Sequence, residues 1–337
     1  MAETIRWGIL GCGRIARKFA SDLRLVKDAE LVACASRNME TAQTFAKEYP
    51  AKHVHDSYEA LVNNNEVDVI YVATPHSHHC EHTILCLEHN KAVLCEKAFA
   101  VNTEQAKKMI ALAQEKKIFL MEAFWTKFLP HYKKTMEMIK SGMIGEIKSV
   151  LVNFGFKPMP PVPQRLFDPS LAGGTMLDIG IYNVFMALNI LGKPDSIEAI
   201  MNPASTGVDE QCSVVFRYNK GKMAHLFSSF ASNIATETNI CGSKGRIKLT
   251  HRFYAPDSTI EYYPKQYDSR EIISAEKENG WGYQYEARHV GECIRKGITE
   301  SPVMSFADTL LLMETLDAIR IKAGIHYDED EWDTAGE

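Results

Sequence analysis

Four short stretches of this chain carry side chains, at spacings, that suit chemistry on a bound small molecule. The first is Gly11-Cys12-Gly13-Arg14-Ile15-Ala16, directly after the apolar run Ile5 to Leu10. In a GxGxxA run the first glycine permits a tight turn and the second lets the backbone approach a pyrophosphate. The small residue in third place brings helix and strand together. The phosphates then rest on unpaired N–H groups at a positive helix end, here around Gly11, Gly13, Arg14 and Ile15. A lone glycine fingerprint is weak, but this one has a strand before it, a helical pattern after it and a second strand from about Glu30. The second stretch ends that strand as Ala35-Ser36-Arg37-Asn38. NAD sites usually place a carboxylate there for the ribose 2′-hydroxyl, whereas NADP sites replace it and add an arginine. No acid is present, so Ser36 and Arg37 suit a 2′-phosphate, and Arg37 can stack on adenine. NADP is the expected dinucleotide, rather than NAD.

The third stretch comes in two pieces, Thr74-Pro75-His76-Ser77-His78-His79 and Cys95-Glu96-Lys97. Both follow carboxyl ends of neighbouring strands, where open α/β sheets bind ligands. That placement puts Thr74, His76, His79, Glu96 and Lys97 at the cofactor side. The fourth stretch runs from Gly173-Gly174 to Asp178-Ile179-Gly180-Ile181-Tyr182. Asp178 and Tyr182 are four apart and share one helix face. The cluster His76, His78, His79, Cys80, His82 invites a zinc reading. It straddles a strand–helix junction, where the side chains diverge, and it lacks CxxC pairing, so no metal is expected.

The elements that hold these residues follow from periodicity. Strands are predicted at Ile5 to Leu10, Glu30 to Ala35, Val67 to Thr74, Ala92 to Cys95 and Ile118 to Ala123. They alternate with helical patterns at Arg14 to Val26, Met39 to Tyr49, His78 to Glu88 and Thr103 to Lys117. Such alternation argues for an α/β Rossmann domain with a doubly wound parallel sheet, residues 1–124. Residues 125–337 change rhythm. A helix (His131 to Ser141) and a strand (Ile147 to Phe156) lead to the proline-rich Lys157 to Asp168, and a helix opens near Gly173-Gly174. From Ser196 to Ser274 strand follows strand, which implies an α+β domain with one large, mainly antiparallel sheet. Helices at Tyr285 to Lys296 and Phe306 to Ala323 precede an acidic tail, Asp328 to Asp333, expected to fray.

The bulk numbers narrow the class. A net charge of −5 over 337 residues gives no basic surface for nucleic acid. No run of about 18 apolar residues is evident, so no membrane span is expected. The chain enters its first strand within four residues, without a leader-like run, and its eight cysteines are scattered, several in apolar runs. That usage fits a reducing cytoplasm.

The whole chain resembles the glucose–fructose oxidoreductase / inositol dehydrogenase (Gfo/Idh/MocA) family, and within it the dimeric dihydrodiol and NADP-dependent D-xylose dehydrogenase branch. The resemblance rests on the glycine fingerprint, Ala92-Val93-Leu94-Cys95-Glu96-Lys97, Met121 to Phe128, Leu177 to Tyr182, Tyr285 to Val290 and Ser301-Pro302-Val303. It implies an oxidoreductase that moves a hydride between nicotinamide and the carbinol carbon of a sugar, polyol or trans-dihydrodiol. For residues 125–337 it implies a role in substrate binding and oligomerisation. It also implies Lys97 beside nicotinamide and Tyr182 as acid/base, in place of the histidine other branches carry. Free tyrosine has a pKa of about 10, and a nearby Lys97 cation lowers it by favouring phenolate. Asp178 is implied either to bond the substrate hydroxyl or to position Lys97. His79 matches a histidine near the ribose. Trp125 and Phe154 match pocket aromatics, with Arg165 and Trp281 as further pocket candidates. One departure is Ala98, where the family motif has a proline that stiffens the loop. Two other readings compete: a non-enzymatic NADP-sensing regulator, which retention of Lys97 and Tyr182 opposes, and a glucose–fructose-type enzyme that keeps its nucleotide. The large sheet's strands carry apolar residues on both sides (Val214-Val215-Phe216, Leu226-Phe227), so its free face needs a cover, which leads to the expectation of a homodimer or dimer of dimers.

Overall fold

The computed structural model describes residues 3–264 and 269–330. Contacts gather the chain into two compact units that do not divide at one point. One holds residues 3–100, 104–129 and 278–310; the other holds 101–103, 130–277 and the residues from 311. Residues 125–129 and 278–310 thus group with the unit that carries the glycine fingerprint.

The first half runs β1 (Ile5–Leu10), α1 (Arg14–Leu23), β2 (Ala29–Ala35), α2 (Met39–Glu48), β3 (His53–His55), α3 (Tyr58–Val62), β4 (Val69–Val72), α4 (His79–Glu88), β5 (Ala92–Glu96), α5 (Thr103–Lys116) and β6 (Leu120–Ala123). The strands form one parallel sheet in the order β3-β2-β1-β4-β5-β6. Every residue of β4, β5 and β6 is buried, as expected of parallel strands covered on both faces. Trp7 and Tyr71 close on Phe19 of α1, and the Phe19 and Tyr71 rings stack at 3.9 Å.

The second half continues with α6 (Pro130–Lys140), β7 (Ile147–Gly155), α7 (Ile181–Leu191), β8 (Ser196–Pro203), β9 (Asp209–Tyr218), β10 (Lys222–Ser229), β11 (Glu237–Gly242), β12 (Arg246–Thr250), β13 (Thr259–Tyr263) and β14 (Glu271–Ile273). Eight strands make one sheet in the order β14-β13-β12-β11-β7-β10-β9-β8. All neighbours are antiparallel except β7 and β10, which run parallel. The helix expected from Gly173-Gly174 begins later, with a π-helical turn Met176–Gly180 that continues directly into α7. Gly174 stands at φ +106°, outside helical geometry. No unbroken apolar run of about 18 residues occurs, but the stretch Pro169–Leu191, interrupted by Asp178, Asn183 and Asn189, is long and apolar enough by length and composition to cross a membrane. It serves as core, because 94% of its most apolar window is buried.

Two helices close the fold, α8 (Tyr283–Arg295) and α9 (Phe306–Ala323). The N-terminus of α8 is capped by Asp22 of α1, whose carboxylate accepts the backbone N–H groups of Trp281 (2.9 Å) and Tyr283 (2.8 Å). This replaces the local cap that Gly282 cannot provide. The acidic tail does not fray at its start. Tyr327 is buried, and Asp330 accepts two hydrogen bonds from Arg320, at 2.7 and 2.9 Å, with the arginine side chain fully buried. A bidentate pair of that kind holds the segment against the fold. Residues 331–333 of the expected tail lie outside the described residues.

Glu122, at the end of β6, is buried. Its Oε2 accepts the Thr309 hydroxyl (2.9 Å), yet burial pushes its carboxyl up to about 7. A carboxyl raised above its unfolded value contributes stability that is complete below the unfolded pKa and lost as pH rises through the folded one. Measured against Glu122→Gln, the wild-type unfolding free energy is therefore expected to fall by on the order of 3 kcal/mol between about pH 4.5 and 7.5. Urea denaturation across that range checks this; parallel curves for the two proteins would reject the titration of Glu122.

Candidate active site

In the first unit the glycine turn has the form of a phosphate cradle. Gly11 stands at φ +98°, and a Cβ there would lie 3.0 Å from the Ala73 carbonyl oxygen, so only glycine fits. A Cβ on Gly13 would meet nothing within 4 Å. The first turn of α1 has neither a side-chain cap nor an acidic residue, so the N–H groups around Arg14 and Ile15 face outward with a positive helix end behind them. These features fit the pyrophosphate of a dinucleotide.

At the end of β2 the Ser36 N–H donates to the His55 carbonyl (3.2 Å), and Asn38 Oδ1 caps α2 by accepting the Thr41 N–H (3.0 Å). Arg37 between them is exposed. Its guanidinium neighbours the Tyr58 phenol, which burial raises and the arginine charge pulls back. Tyr58 also sets its ring edge-on to His82 at 4.6 Å. Nothing in its local sequence marks Tyr58 as a neighbour of Arg37; the meeting is made by the β2–β3 pairing.

The histidine cluster resolves into distinct tasks. His79 is fully buried, with Nδ1 2.7 Å from the Ala98 carbonyl and Nε2 2.8 Å from the Thr74 carbonyl. Burial pushes it down to about 4. Its ring therefore spans the turns after β4 and β5. His82 sets Nδ1 3.0 Å from the Thr74 hydroxyl and is likewise pushed to about 4, by burial first and then by His78 and Arg37. His76 is buried with its ring 5.7 Å from that of His79. Among the described residues no group of three or more His, Cys, Asp or Glu side chains is arranged to hold a metal ion.

At the end of β5, Glu96 is buried and accepts at both oxygens. The Tyr71 hydroxyl donates to Oε1, and the Lys97 backbone N–H donates to Oε2 at 3.1 Å. The Lys97–Ala98 peptide bond is cis although alanine stands in the proline position. Trp125 lies flat on Tyr283, with ring centroids 4.6 Å apart and planes within 6°. Trp281 is 47% exposed, with the Lys18 ammonium 4.5 Å over its ring.

The second unit carries the other set. Tyr182, in the first turn of α7, is 6% exposed and sits in an aromatic wall. Phe154 of β7 is 5.9 Å from it, and Tyr254 is 4.8 Å from Tyr182 and stacks on Phe154 at 4.4 Å. Tyr254 was not anticipated, because it lies in the loop after β12 with no motif around it. Asp178, in the π turn, accepts from Arg165 at 3.1 Å. The structure thus joins Asp178 to Arg165, and Tyr182 to Phe154.

Comparison with known proteins identifies the family. Residues 5–124 match the NAD-binding Rossmann domain of the GFO/IDH/MocA oxidoreductase family, and residues 132–248 match its C-terminal domain. The trans-1,2-dihydrobenzene-1,2-diol dehydrogenase of Xenopus laevis is 36% identical over 328 residues, covering 96% of this chain and 99% of that one. The enzyme of the same name from Homo sapiens is 33% identical, covering 97% and 99%. Among solved structures, the 3-ketoreductase KijD10 from Actinomadura kijaniata, in complex with NADP and TDP-benzene, superposes with a TM-score of 0.85 at 26% identity, covering 95% of this chain and 98% of its own. The aldose-aldose oxidoreductase from Caulobacter crescentus shares the fold, with a TM-score of 0.86 at 22% identity and coverage of 96% and 98%. The protein is an oxidoreductase of the GFO/IDH/MocA family.

The two glycines of the turn separate folding from binding. Gly13→Ala is expected to leave the unfolding free energy within about 0.5 kcal/mol while weakening dinucleotide binding about tenfold or more, since the added methyl fills the cradle. Gly11→Ala is expected to cost about 1 kcal/mol or more of stability by itself. Urea unfolding paired with fluorescence titration of NADP checks both. Equal stability losses in the two variants would refute the assignment.

Proposed function

We propose that this chain is an NADP-dependent dehydrogenase acting on the CH–OH group of a trans-dihydrodiol, polyol or sugar, with Tyr182 as acid/base and Lys97 assisting. The observation that carries the reading is the setting of Tyr182, a nearly buried phenol in an aromatic wall, four residues beyond an Asp178 paired to Arg165. Aromatic faces suit the apolar side of a cyclic diol or pyranose. The relatives named as diol dehydrogenases support the substrate class. The acid-free end of β2 with its exposed Arg37 supports NADP, as does the NADP in the KijD10 complex.

Nicotinamide, when bound, supplies the hydride acceptor in oxidation and the donor in reduction. Tyr182 as phenolate takes the hydroxyl proton as the carbinol C–H bond breaks, leaving a carbonyl product, and passes the proton to water; reduction reverses each transfer. In this reading the Lys97 cation favours the phenolate. Asp178, steadied by Arg165, orients the substrate hydroxyl. We further propose a cytoplasmic setting, which the eight free cysteines support. A homodimer built on the large sheet is part of the same reading. Strand register sets Leu151, His225, Val215, Met223 and Ile200 on one face, where Ile200 is 73% exposed.

The primary test follows reduced-nicotinamide absorbance with NADP or NAD against D-xylose, D-glucose, myo-inositol and trans-cyclohexane-1,2-diol. Tyr182→Phe is expected to bind NADP normally and to lower kcat by about 10²–10⁴. Substantial residual turnover would reject it as acid/base. Arg37→Ala is expected to reduce the preference for NADP over NAD about tenfold or more and to leave NAD kinetics alone. An unchanged ratio would move the 2′-phosphate contact elsewhere. Elution from gel filtration as a monomer would end the dimer proposal.

A further inference from the structure

The turn that launches the Tyr182 helix is gripped from two sides by residues distant in sequence. On one side stands Asp209, the first residue of β9, with its side chain fully buried. Its Oδ2 accepts the Thr175 hydroxyl at 2.6 Å and the Met176 N–H at 2.7 Å. The Thr175 oxygen in turn accepts the Ser228 hydroxyl at 3.1 Å. Gly174 is pressed so close that a Cβ would lie 2.1 Å from Asp209 Oδ1. That Oδ1 is buried and has no hydrogen-bond partner. A carboxylate held there at the cost of an orphaned oxygen does a helix cap's work from another strand, since Thr175 provides no cap of its own.

On the other side the Tyr327 hydroxyl donates to the Gly173 carbonyl at 2.6 Å. Tyr327 is buried and locked in turn. Its N–H donates to Asp330 Oδ2 at 2.9 Å, and the guanidinium of Arg320, bidentate on the same Asp330, lies 4.9 Å from its ring centroid. Gly173 is also confined by the Arg165 carbonyl, 2.9 Å from where its Cβ would stand, and the Gly174 N–H donates to the Leu166 carbonyl at 2.8 Å. The turn therefore sets the backbone of Arg165 as well as the start of the segment that carries Asp178 and Tyr182.

We propose that Asp209 and Tyr327 are positioning residues for the reaction: they clamp Gly173 to Met176 from opposite sides, and so set where Tyr182 and the Asp178–Arg165 pair stand. The C-terminal segment Ile325 to Asp330 is then a working part of the catalytic unit. This inference rests on the reading of Tyr182 as acid/base. A group that acts through geometry changes kcat, because a small misplacement of an acid/base costs rate without removing a binding contact.

The test compares Tyr327→Phe, Asp209→Ala, Asp209→Asn, Thr175→Val and Thr175→Ser with the wild type and Tyr182→Phe in the full-length protein. The assay is oxidation of trans-cyclohexane-1,2-diol or D-xylose, whichever the wild type turns over. Far-UV circular dichroism and urea midpoints establish that each variant is folded, and NADP affinity is titrated separately. Tyr327→Phe and Thr175→Val are expected to lower kcat about tenfold each, with KM within about twofold and NADP affinity unchanged. Asp209→Ala is expected to lower kcat at least as much. Asp209→Asn, which keeps an acceptor oxygen, and Thr175→Ser, which keeps the hydroxyl, are expected to restore most of the rate. The double variant Tyr327→Phe/Thr175→Val should fall short of the product of the two losses, since both loosen one turn. Wild-type kcat in folded Tyr327→Phe and Asp209→Ala, with Tyr182→Phe inactive, would overturn this inference alone. Loss of NADP affinity in step with kcat would also overturn it, as general damage to the fold. A fully active Tyr182→Phe would fell the acid/base reading, and the positioning role with it.

Discussion

The first unit is organised by one constraint: a parallel sheet buried on both faces can offer functional groups only at the ends of its strands. Every residue of β4, β5 and β6 is buried, so their sides are spent on the core. The turns leaving the strands must then carry the chemistry. The glycine turn comes after β1, Arg37 after β2 and the Thr74–His79 stretch after β4, while Glu96 ends β5 and Lys97 succeeds it. Tying such turns to one another is a task for short polar side chains at the same end of the sheet. His79 does this by setting its ring between carbonyl oxygens of two separate turns, while Glu96 braces the Lys97 backbone against Tyr71 of β4.

The second unit meets a different demand. Its aromatic wall comes from β7, α7 and the loop after β12, so the precision of that wall depends on how α7 is anchored. Anchoring is done with buried charge rather than with apolar contact alone. Asp209 and Arg320 are both fully buried. A buried ion is costly unless its hydrogen bonds are met. The terminal nitrogens of Arg320 bond Asp317, Asp330 and the Val101 carbonyl, so the side chain joins three separated stretches of chain within the unit. Directional bonds of this kind set one geometry where apolar packing tolerates several.

Much of this was legible in the sequence, and the limits were physical. The glycine fingerprint, the strand–helix alternation and α9, read as Phe306 to Ala323 and found there, are written in local pattern. The change to consecutive strands after Ser196 announced the large sheet. Hidden were the relations made by non-local pairing. Tyr58 comes near Arg37 because β2 pairs with β3. Tyr254 reaches Phe154 from a loop a hundred residues further along the chain. The π turn at Met176–Gly180 is held by a cap supplied from a strand that begins at Asp209, and no local pattern records it. The acidic tail read as frayed by composition, yet one buried arginine converts Asp330 into an anchor.

The parallel pairing of β7 with β10 carries a consequence for how the protein comes to be made. The strands flanking most of this sheet are joined by short connections and can zip as hairpins, but β7 at Ile147–Gly155 must wait for β10 at Lys222–Ser229 and β11 at Glu237–Gly242 to be present. Loop closure over such distances has to precede the contacts that reward it, which slows assembly. On a ribosome, β7 emerges with both of its edges unpaired. An open edge of that kind is a template for wrong partners. The interval between synthesis of β7 and synthesis of β11 is the period when this chain is most exposed to misassembly.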